Sequence, residues 1–366
     1  MQLTWFIVSV ALIFGVVALL YRYRALKGIH YNRFFSEQTV FEGDTVEMVE
    51  VIANAKLLPL PWLRLESSMS AALTFGRQSN LTIHAGDIYQ NHSSLFYLRP
   101  YRQITRRHEI ICSRRGQYRL DTATMTTGDP LGLSRQSKQF PLKLELLVYP
   151  QILPLPKLPL PNHSWLGELP VRRWIGEDPF LISGIRQYRP GDSLGSINWN
   201  ATARTGELQV HHHDYTADHR LMICLNLEVS DSMWRTVTDP ERIELGLRYA
   251  ATIAEYAQRN GLAAGFLSNA RLADGPREPV RIAPAVSSDQ LTLLLEAMAR
   301  LVLDKTASMI RLLEMELAAG GTDMDYLIIS CHQGEKLREL ADQLRLNGNG
   351  VEWMVIPESE QVLRQA

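Results

Sequence analysis

The residues that could carry chemistry in this 366-residue chain gather in two short stretches. The first is Leu227-Glu228-Val229-Ser230-Asp231-Ser232-Met233, directly after the apolar run Leu221–Leu227 (LMICLNL). A continuous apolar run of this kind is what a strand buried on both faces requires, and ligand sites in open α/β sheets gather at the carboxyl ends of such strands. Two hydroxyls at Ser230 and Ser232, with carboxylates beside them, form a hard oxygen-rich group suited to Mg²⁺. The same residues also serve as an ordinary strand-to-loop turn and cap. The second stretch is Gly184 to Val210 (GIRQYRPGDSLGSINWNATARTGELQV). Arg186, Arg189 and Arg204 supply bidentate donors and Asp192 an acceptor. Pro190-Gly191-Asp192 reads as a tight turn, Ile197-Asn198-Trp199 as a short strand, and Ala201–Arg204 as one helical turn. By composition this stretch is a structural brace, with Arg–Asp pairs and a buried Trp199.

Weaker candidates lie elsewhere. His211-His212-His213 sits on an expected strand, where successive side chains point to opposite faces, so at most two converge on a metal. Arg102, Arg106, Arg107, Arg114, Arg115 and Arg119 make one part of the chain basic; a solvated sheet face is the default, and contact with anionic lipid the sharper option. Cys331-His332 offers a thiol, but no orienting partner is evident. No P-loop, G-x-S-x-G or H-E-x-x-H pattern occurs, so phosphoryl transfer, serine hydrolysis and zinc proteolysis have no support. The expectation is a protein that is not an enzyme.

The elements that must position these residues follow from the hydrophobic pattern. Leu3 to Tyr21 carries no charge, and a helix of that length spans roughly 28 Å, close to a bilayer core. Arg22, Arg24, Lys27 and Arg33 follow it, so the positive-inside bias places the bulk of the chain on the cytoplasmic side of a cell membrane, anchored by a single pass. From about Arg33 to Tyr149, short β-branched and aromatic runs are separated by turn signals such as Glu42-Gly43-Asp44 and Gly128-Asp129-Pro130, which predicts an antiparallel β-sandwich. Pro150 to Pro161 (PQILPLPKLPLP) favours extended polyproline structure and reads as a stiff connector. After Leu221, buried strands alternate with helices, the mark of a largely parallel sheet covered on both sides. The resulting architecture is a membrane-anchored α+β chain with four segments: anchor and basic flank over 1–30, sandwich over 31–149, connector over 150–183, and an R-x-Y-x-P-G-D segment with an α/β domain over 184–366. A net charge of −1 gives no global attraction to nucleic acid, and three distant cysteines form no disulfide framework.

This order of features resembles the bacterial membrane proteins grouped as domain of unknown function 58. The most specific agreement is Arg186-x-Tyr188-x-Pro190-Gly191-Asp192, Ile197-x-Trp199 and Thr202-Ala203-Arg204, with Phe41-Glu42-Gly43-Asp44, Leu58-Pro59-Leu60-Pro61-Trp62, Arg114-Arg115-Gly116-x-Tyr118 and Asp129-Pro130-Leu131-Gly132-Leu133 beside it. The resemblance implies that the last domain is von Willebrand factor A-like, with a Rossmann-like sheet. It implies association with MoxR-type AAA+ ATPases, hence a non-catalytic adaptor or assembly factor in protein maturation or cell-envelope processes, with Arg186, Tyr188, Pro190, Gly191, Asp192, Trp199, Ala203 and Arg204 as bracing or partner-binding residues. The alternative is a Mg²⁺-dependent ligand-binding module. Von Willebrand A domains often carry D-x-S-x-S, matched here by Glu228, Ser230 and Ser232. Glu228 replaces the expected Asp, and Ser330-Cys331-His332 stands where another Asp is expected. Gly321-Thr322-Asp323 offers substitutes but precedes its strand.

Overall fold

The computed structural model describes residues 2–76, 81–86, 89–159, 177–188, 197–215, 220–230 and 237–358. The chain divides into two compact units, Met1–Gln151 with Leu295–Leu301, and Ile152–Leu294 with Val302–Ala366.

The first unit begins with helix α1 (Gln2–Arg24). Its apolar stretch, Leu3–Arg24, has a mean hydropathy of 2.6 and is long and apolar enough to cross a membrane. Among the described residues ten strands follow: β1 (Ile29–Phe35), β2 (Thr39–Phe41), β3 (Thr45–Asn54), β4 (Leu60–Ser70), β5 (Leu73–Phe75), β6 (Leu81–Ala85), β7 (Tyr89–Leu98), β8 (Gln103–Cys112), β9 (Gly116–Gly128) and β10 (Arg135–Tyr149). They form a four-stranded sheet, β1-β3-β8-β5, and a six-stranded sheet, β2-β10-β9-β4-β7-β6. Alternation along β4 and β7 turns every second residue inward. The inward residues of both sheets meet in two clusters, one around Ile52, Leu63, Phe96 and Met125 and one around Met48, Ile110, Leu146 and Val148. This is the expected sandwich, with one departure: β2 pairs with β10 in parallel. Strand β1 begins within the segment assigned to the anchor and its flank.

The last turns of α1 belong to the sandwich core. Tyr21 is buried with Ala25, Leu26 and Ile29 in the first cluster, and Val17 packs against it. Tyr21 Oη donates to Pro59 O at 2.9 Å, and Leu26 N–H to Gln136 Oε1 at 3.0 Å. Lys56 Nζ reaches the carbonyls that end the helix, donating to Arg24 O and Lys27 O at 2.7 Å each and also to Ala25 O. An ammonium there satisfies orphan acceptors and complements the negative end of the helix dipole.

In the second unit, a single 3₁₀ turn at Leu155–Lys157 interrupts the proline-rich stretch, and Pro154 and Leu158 on either side of it hold polyproline-like angles. A hairpin joins β11 (Glu177–Gln187) to β12 (Gln209–Tyr215), with α2 (Trp199–Thr205) between them. The α/β part comprises β13 (Arg220–Leu225), α3 (Pro240–Arg259), β14 (Ala263–Ser268), β15 (Arg271–Leu272), β16 (Val280–Ala285), α4 (Gln290–Arg300), β17 (Leu301–Val302), α5 (Met309–Ala318), β18 (Met324–Ser330), α6 (Glu335–Leu346) and β19 (Gly350–Val355), with Leu295–Leu301, the end of α4 and the start of β17, counted in the first unit. Its five-stranded sheet runs β16-β14-β13-β18-β19. β13, β14, β18 and β19 are parallel, and β16 is antiparallel to β14. Helices α5 and α6 bury Leu312, Leu313, Leu337 and Leu344 against one face. On the other, α3 lies so close that a Cβ at Gly246 would fall 2.6 Å from Ile356 Cδ1 and 3.0 Å from Leu225 Cδ1. Asp239 starts α3 by accepting from Arg242 N–H, with Pro240 in the first turn, as its sequence predicts.

A polar cluster at the carboxyl edge of the parallel sheet

The strand order reverses between β13 and β18, so their carboxyl ends flank the crevice where open α/β sheets bind ligands. Asn226, directly after β13, is fully buried there. Its Nδ2 donates to Ser330 Oγ at 3.1 Å, and its Oδ1 accepts from Asn269 Nδ2 and from Glu228 N–H, both at 3.0 Å. Asn269 Oδ1 accepts from Leu227 N–H at 2.9 Å. Ser330 Oγ donates to His332 O at 2.6 Å. His332 Nδ1 lies 3.0 Å from Glu228 O, a carbonyl that calls for the Nδ1–H tautomer. Three strand ends are thereby locked in one network of buried amides and hydroxyls.

Glu228 sits at the centre of this edge and is 8% exposed. Its Oε1 pairs with Lys305 Nζ at 3.0 Å, and its Oε2 accepts from Met309 N–H, in the first turn of α5, at 3.3 Å. Ser230 is exposed, and Ser232 lies outside the described residues. Cys331 is buried, and burial pushes its thiol up to about 11, Arg242 lowering and Asp239 raising it further. The thiolate, which is the nucleophilic and metal-binding form, is therefore scarce at neutral pH. Arg242 ties this end together, donating to Cys331 O at 3.1 Å and to Pro357 O at 3.1 Å. Asp323, at φ +62°, precedes β18 and so lies at the amino edge, away from Glu228.

The second predicted stretch is partly described. Arg186 lies on β11 opposite Val210, and Tyr188 N–H donates to Leu208 O at 2.9 Å. Arg189, Pro190, Gly191 and Asp192 fall outside the described residues. Ile197 makes a single bridge to Val210 rather than a strand. Asn198 then caps α2, its Oδ1 accepting from Ala201 N–H at 2.9 Å, and so turns the chain into a helix from Trp199. Thr202 Oγ1 donates to Asn198 O at 2.9 Å and accepts from Gln209 N–H at 3.0 Å, which pins α2 to β12. Trp199 does not lock the brace from within, as the composition predicts: in the first turn of α2 it points outward and is 67% exposed. Ala203 and Arg204, one helical turn on, are exposed too. His211, His212 and His213 occupy successive positions of β12, opposite Ile185, Gly184 and Ile182.

The sandwich holds a second buried polar cluster that sequence reasoning missed. Glu50 and Arg33 form an ion pair with both side chains fully buried. His108 Nε2 lies 3.1 Å from Glu50 Oε2, and Tyr31 Oη donates to Glu50 Oε1 at 3.2 Å. His92 stacks on Phe75 at 5.0 Å, and its Nδ1 is buried without a partner. Burial alone would raise the Glu50 carboxyl, but the His108 hydrogen bond and the Arg33 charge outweigh it and hold the group down at about 2. Burial lowers His92 to about 4, against the raising influence of Glu50. Glu50, His92 and His108 lie close enough to share a metal ion, but the Arg33 guanidinium already neutralises the carboxylate, and a divalent ion would add an uncompensated buried charge. These residues come from β1, β3, β7 and β8, and no spacing along the chain marks them.

Residues 184–303 match the family described as protein of unknown function DUF58. The uncharacterized protein YeaD of Bacillus subtilis (strain 168) is 20% identical over 268 residues, 72% of this chain and 62% of YeaD. The chain thus spans less than two thirds of that relative's length. Among solved structures, a non-cellulosomal cohesin from the archaeon Archaeoglobus fulgidus is 10% identical, covering 32% of this chain and 90% of its own, with a TM-score of 0.22. The sixth cohesin of Acetivibrio cellulolyticus scaffoldin B is 12% identical, covering 32% and 98%, with a TM-score of 0.23. Scores this low carry no argument; the sandwich rests on its own strand pairing.

Proposed function

We propose that this chain, whose residues 184–303 fall in the DUF58 family, is a non-enzymatic, membrane-tethered adaptor. In this reading α1 is a single-pass anchor, and Arg22, Arg24 and Lys27 after it keep both units on the cytoplasmic side. The α/β unit is von Willebrand factor A-like. What supports that assignment is the strand order β16-β14-β13-β18-β19 with its one antiparallel edge, the helices on both faces, and the Glu228-x-Ser230-x-Ser232 sequence that follows the first strand.

The observation that carries the adaptor reading is the exposure of Trp199 on a helix whose ends are internally capped. Tryptophan and arginine dominate the energetic centres of protein interfaces, and Trp199 and Arg204 stand out from one short, rigid element. The partner proposed is an AAA+ ATPase of the MoxR type. The carboxyl edge of the sheet works without a metal in this reading: Lys305 supplies the positive charge to Glu228, Ser330 Oγ is committed to Asn226 and His332, and Cys331 is a buried, protonated thiol. For Mg²⁺ to bind at Glu228 it would have to displace the Lys305 ammonium from the carboxylate.

Full-length protein extracted in mild detergent with a non-hydrolysable ATP analogue should retain an AAA+ ATPase. Trp199→Ala should lower its recovery about tenfold, as loss of an interface centre does. Equal recovery with the variant, or no ATPase at all, refutes the proposal.

A further inference from the structure

Strand pairing gathers one set of chain turns at a single end of the sandwich. Ile29 of β1 pairs with Asn54 of β3, Ala53 with Gln103 of β8, Leu60 of β4 with Leu98 of β7, and Gly128 of β9 with Arg135 of β10. The loops 55–59, 99–102 and 129–134 therefore lie side by side. Helix α1 leaves the sandwich at this same end, since Tyr21 bonds to Pro59, Lys56 bonds to Arg24 and Lys27, and Gly28 O accepts from Ala55 N–H at 2.9 Å.

These loops are unusual in what they expose. Leu57 is 74% exposed, Tyr101 68%, Leu131 54% and Leu133 68%. Among the described residues of this unit, every loop leucine more than half exposed is at this end. The leucines are held outward by a built turn: Asp129, itself buried, accepts from Leu131 N–H at 3.1 Å and from Ser134 Oγ at 2.9 Å, and its carbonyl accepts from Gly132 N–H at 3.1 Å. Around them stand exposed Arg22, Arg24, Lys27, Arg99, Arg102 and Arg135, and the three loops contain no acid except the buried Asp129. Projecting leucines and a tyrosine within a cationic rim are the pattern of a surface that enters the headgroup layer of an anionic bilayer.

We infer that this end of the sandwich is a second membrane contact, in which Leu57, Tyr101, Leu131 and Leu133 lie in the interfacial layer and the surrounding arginines meet anionic headgroups. The inference rests on α1 being a membrane span, and it gives a role to the Asp129-Pro130-Leu131-Gly132-Leu133 motif. Of the six basic sandwich residues singled out from sequence, only Arg102 joins this rim. Arg106 packs over Phe96, Arg107 pairs with Glu47, Arg119 lies 4.0 Å from Glu145, and Arg114 and Arg115 belong to the turn at the other end.

The test uses the full chain in vesicles. The three native cysteines are buried, so a fluorophore can be placed selectively at Leu57→Cys, at Leu133→Cys, or at Glu109→Cys, which is exposed toward the far end of β8. With a doxyl-labelled phosphatidylcholine as quencher, quenching at positions 57 and 133 should be at least about threefold stronger than at 109. It should strengthen further in an equal mixture of phosphatidylcholine and phosphatidylglycerol than in phosphatidylcholine alone. Equal quenching at all three positions, in a chain that resists carbonate extraction, overturns this inference and leaves the anchor intact. Release of the chain by carbonate refutes the anchor, and the second contact falls with it. Quenching that does not change with lipid charge removes the role of the arginines.

Discussion

Replacing Lys305 by methionine should expose how much the carboxyl edge of the parallel sheet depends on an internal cation. The Glu228–Lys305 pair is 3.0 Å apart, with side chains 10% and 14% exposed. At that distance, and at an effective dielectric of about 20, the gross attraction is roughly 5 kcal/mol. Desolvation of both groups offsets much of it, so the pair contributes little against an apolar substitute. Removing only the ammonium is different, because it strands a mostly buried carboxylate that keeps just the Met309 N–H. Lys305→Met should therefore cost about 3 kcal/mol. For a unit of this size that lowers Tm by roughly 6–12 °C. The double variant Glu228→Gln/Lys305→Met should recover most of the loss and sit within about 1 kcal/mol of the parent, since the Glu228 carboxylate is then no longer left without its ammonium. Fluorescence melting of the full chain in detergent reads both, with Trp353 on β19 as a reporter inside the affected sheet. Adding Mg²⁺ to Lys305→Met should restore none of the stability. A loss below about 1 kcal/mol, a double variant as unstable as the sum of its parts, or a Mg²⁺ rescue would each refute the reasoning.

Three other outcomes follow from the geometry. The sandwich should lose stability in acid over two windows: His92, lowered by burial from 6.5 to about 4, leaves the unfolded chain holding the extra proton between those values, and Glu50, lowered from 4.5 to about 2, does the same lower down. Stability should thus fall by about 1.4 kcal/mol per pH unit from pH 6.5 to 4, and His92→Phe, which keeps a ring against Phe75, should flatten that limb alone in pH-dependent melts. Lys56→Met removes the donor from the carbonyls at the end of α1, so hydrogen exchange at residues 25–28 should accelerate as that junction loses about 1–2 kcal/mol of local stability. A Cβ at position 265 would lie 2.6 Å from Ile282 O and 2.7 Å from Pro284 N, so Gly265→Ala should force β14 and β16 apart at a cost of about 2–4 kcal/mol, seen as an earlier melt of the second unit with the sandwich unchanged.

Local signals in the sequence carried the elements well where one physical rule dominated. The uncharged run Leu3–Tyr21 marks α1, the Thr238-Asp239-Pro240-Glu241 start and the Asn260-Gly261 stop bracket α3, and the run Leu221–Leu227 marks the central strand. Strand β1 is not legible in the sequence because its inward position 33 carries an arginine, and a buried charge breaks the apolar alternation that defines a strand. The short strand read at Ile197–Trp199 gave way to a helix because Asn198 is a better helix cap than strand residue. The sites were less legible than the elements. Glu228 was visible from its motif, but its partner Lys305 is 77 residues away, on a loop with no pattern. The Arg33–Glu50–His92–His108 cluster depends on register between strands far apart in sequence, and register is set by the whole hydrophobic pattern rather than by any local stretch.

The seating of Tyr21, Ala25 and Leu26 in the sandwich core leaves no hinge between the apolar helix and the domain it carries. If α1 spans a bilayer as proposed, the helix and the sandwich move as one lever. Membrane-spanning helices lean by about 20° on average and change their lean as the bilayer thickens or thins. Any such change would swing the whole sandwich through the same angle, so lipid composition would set how this unit faces its surroundings.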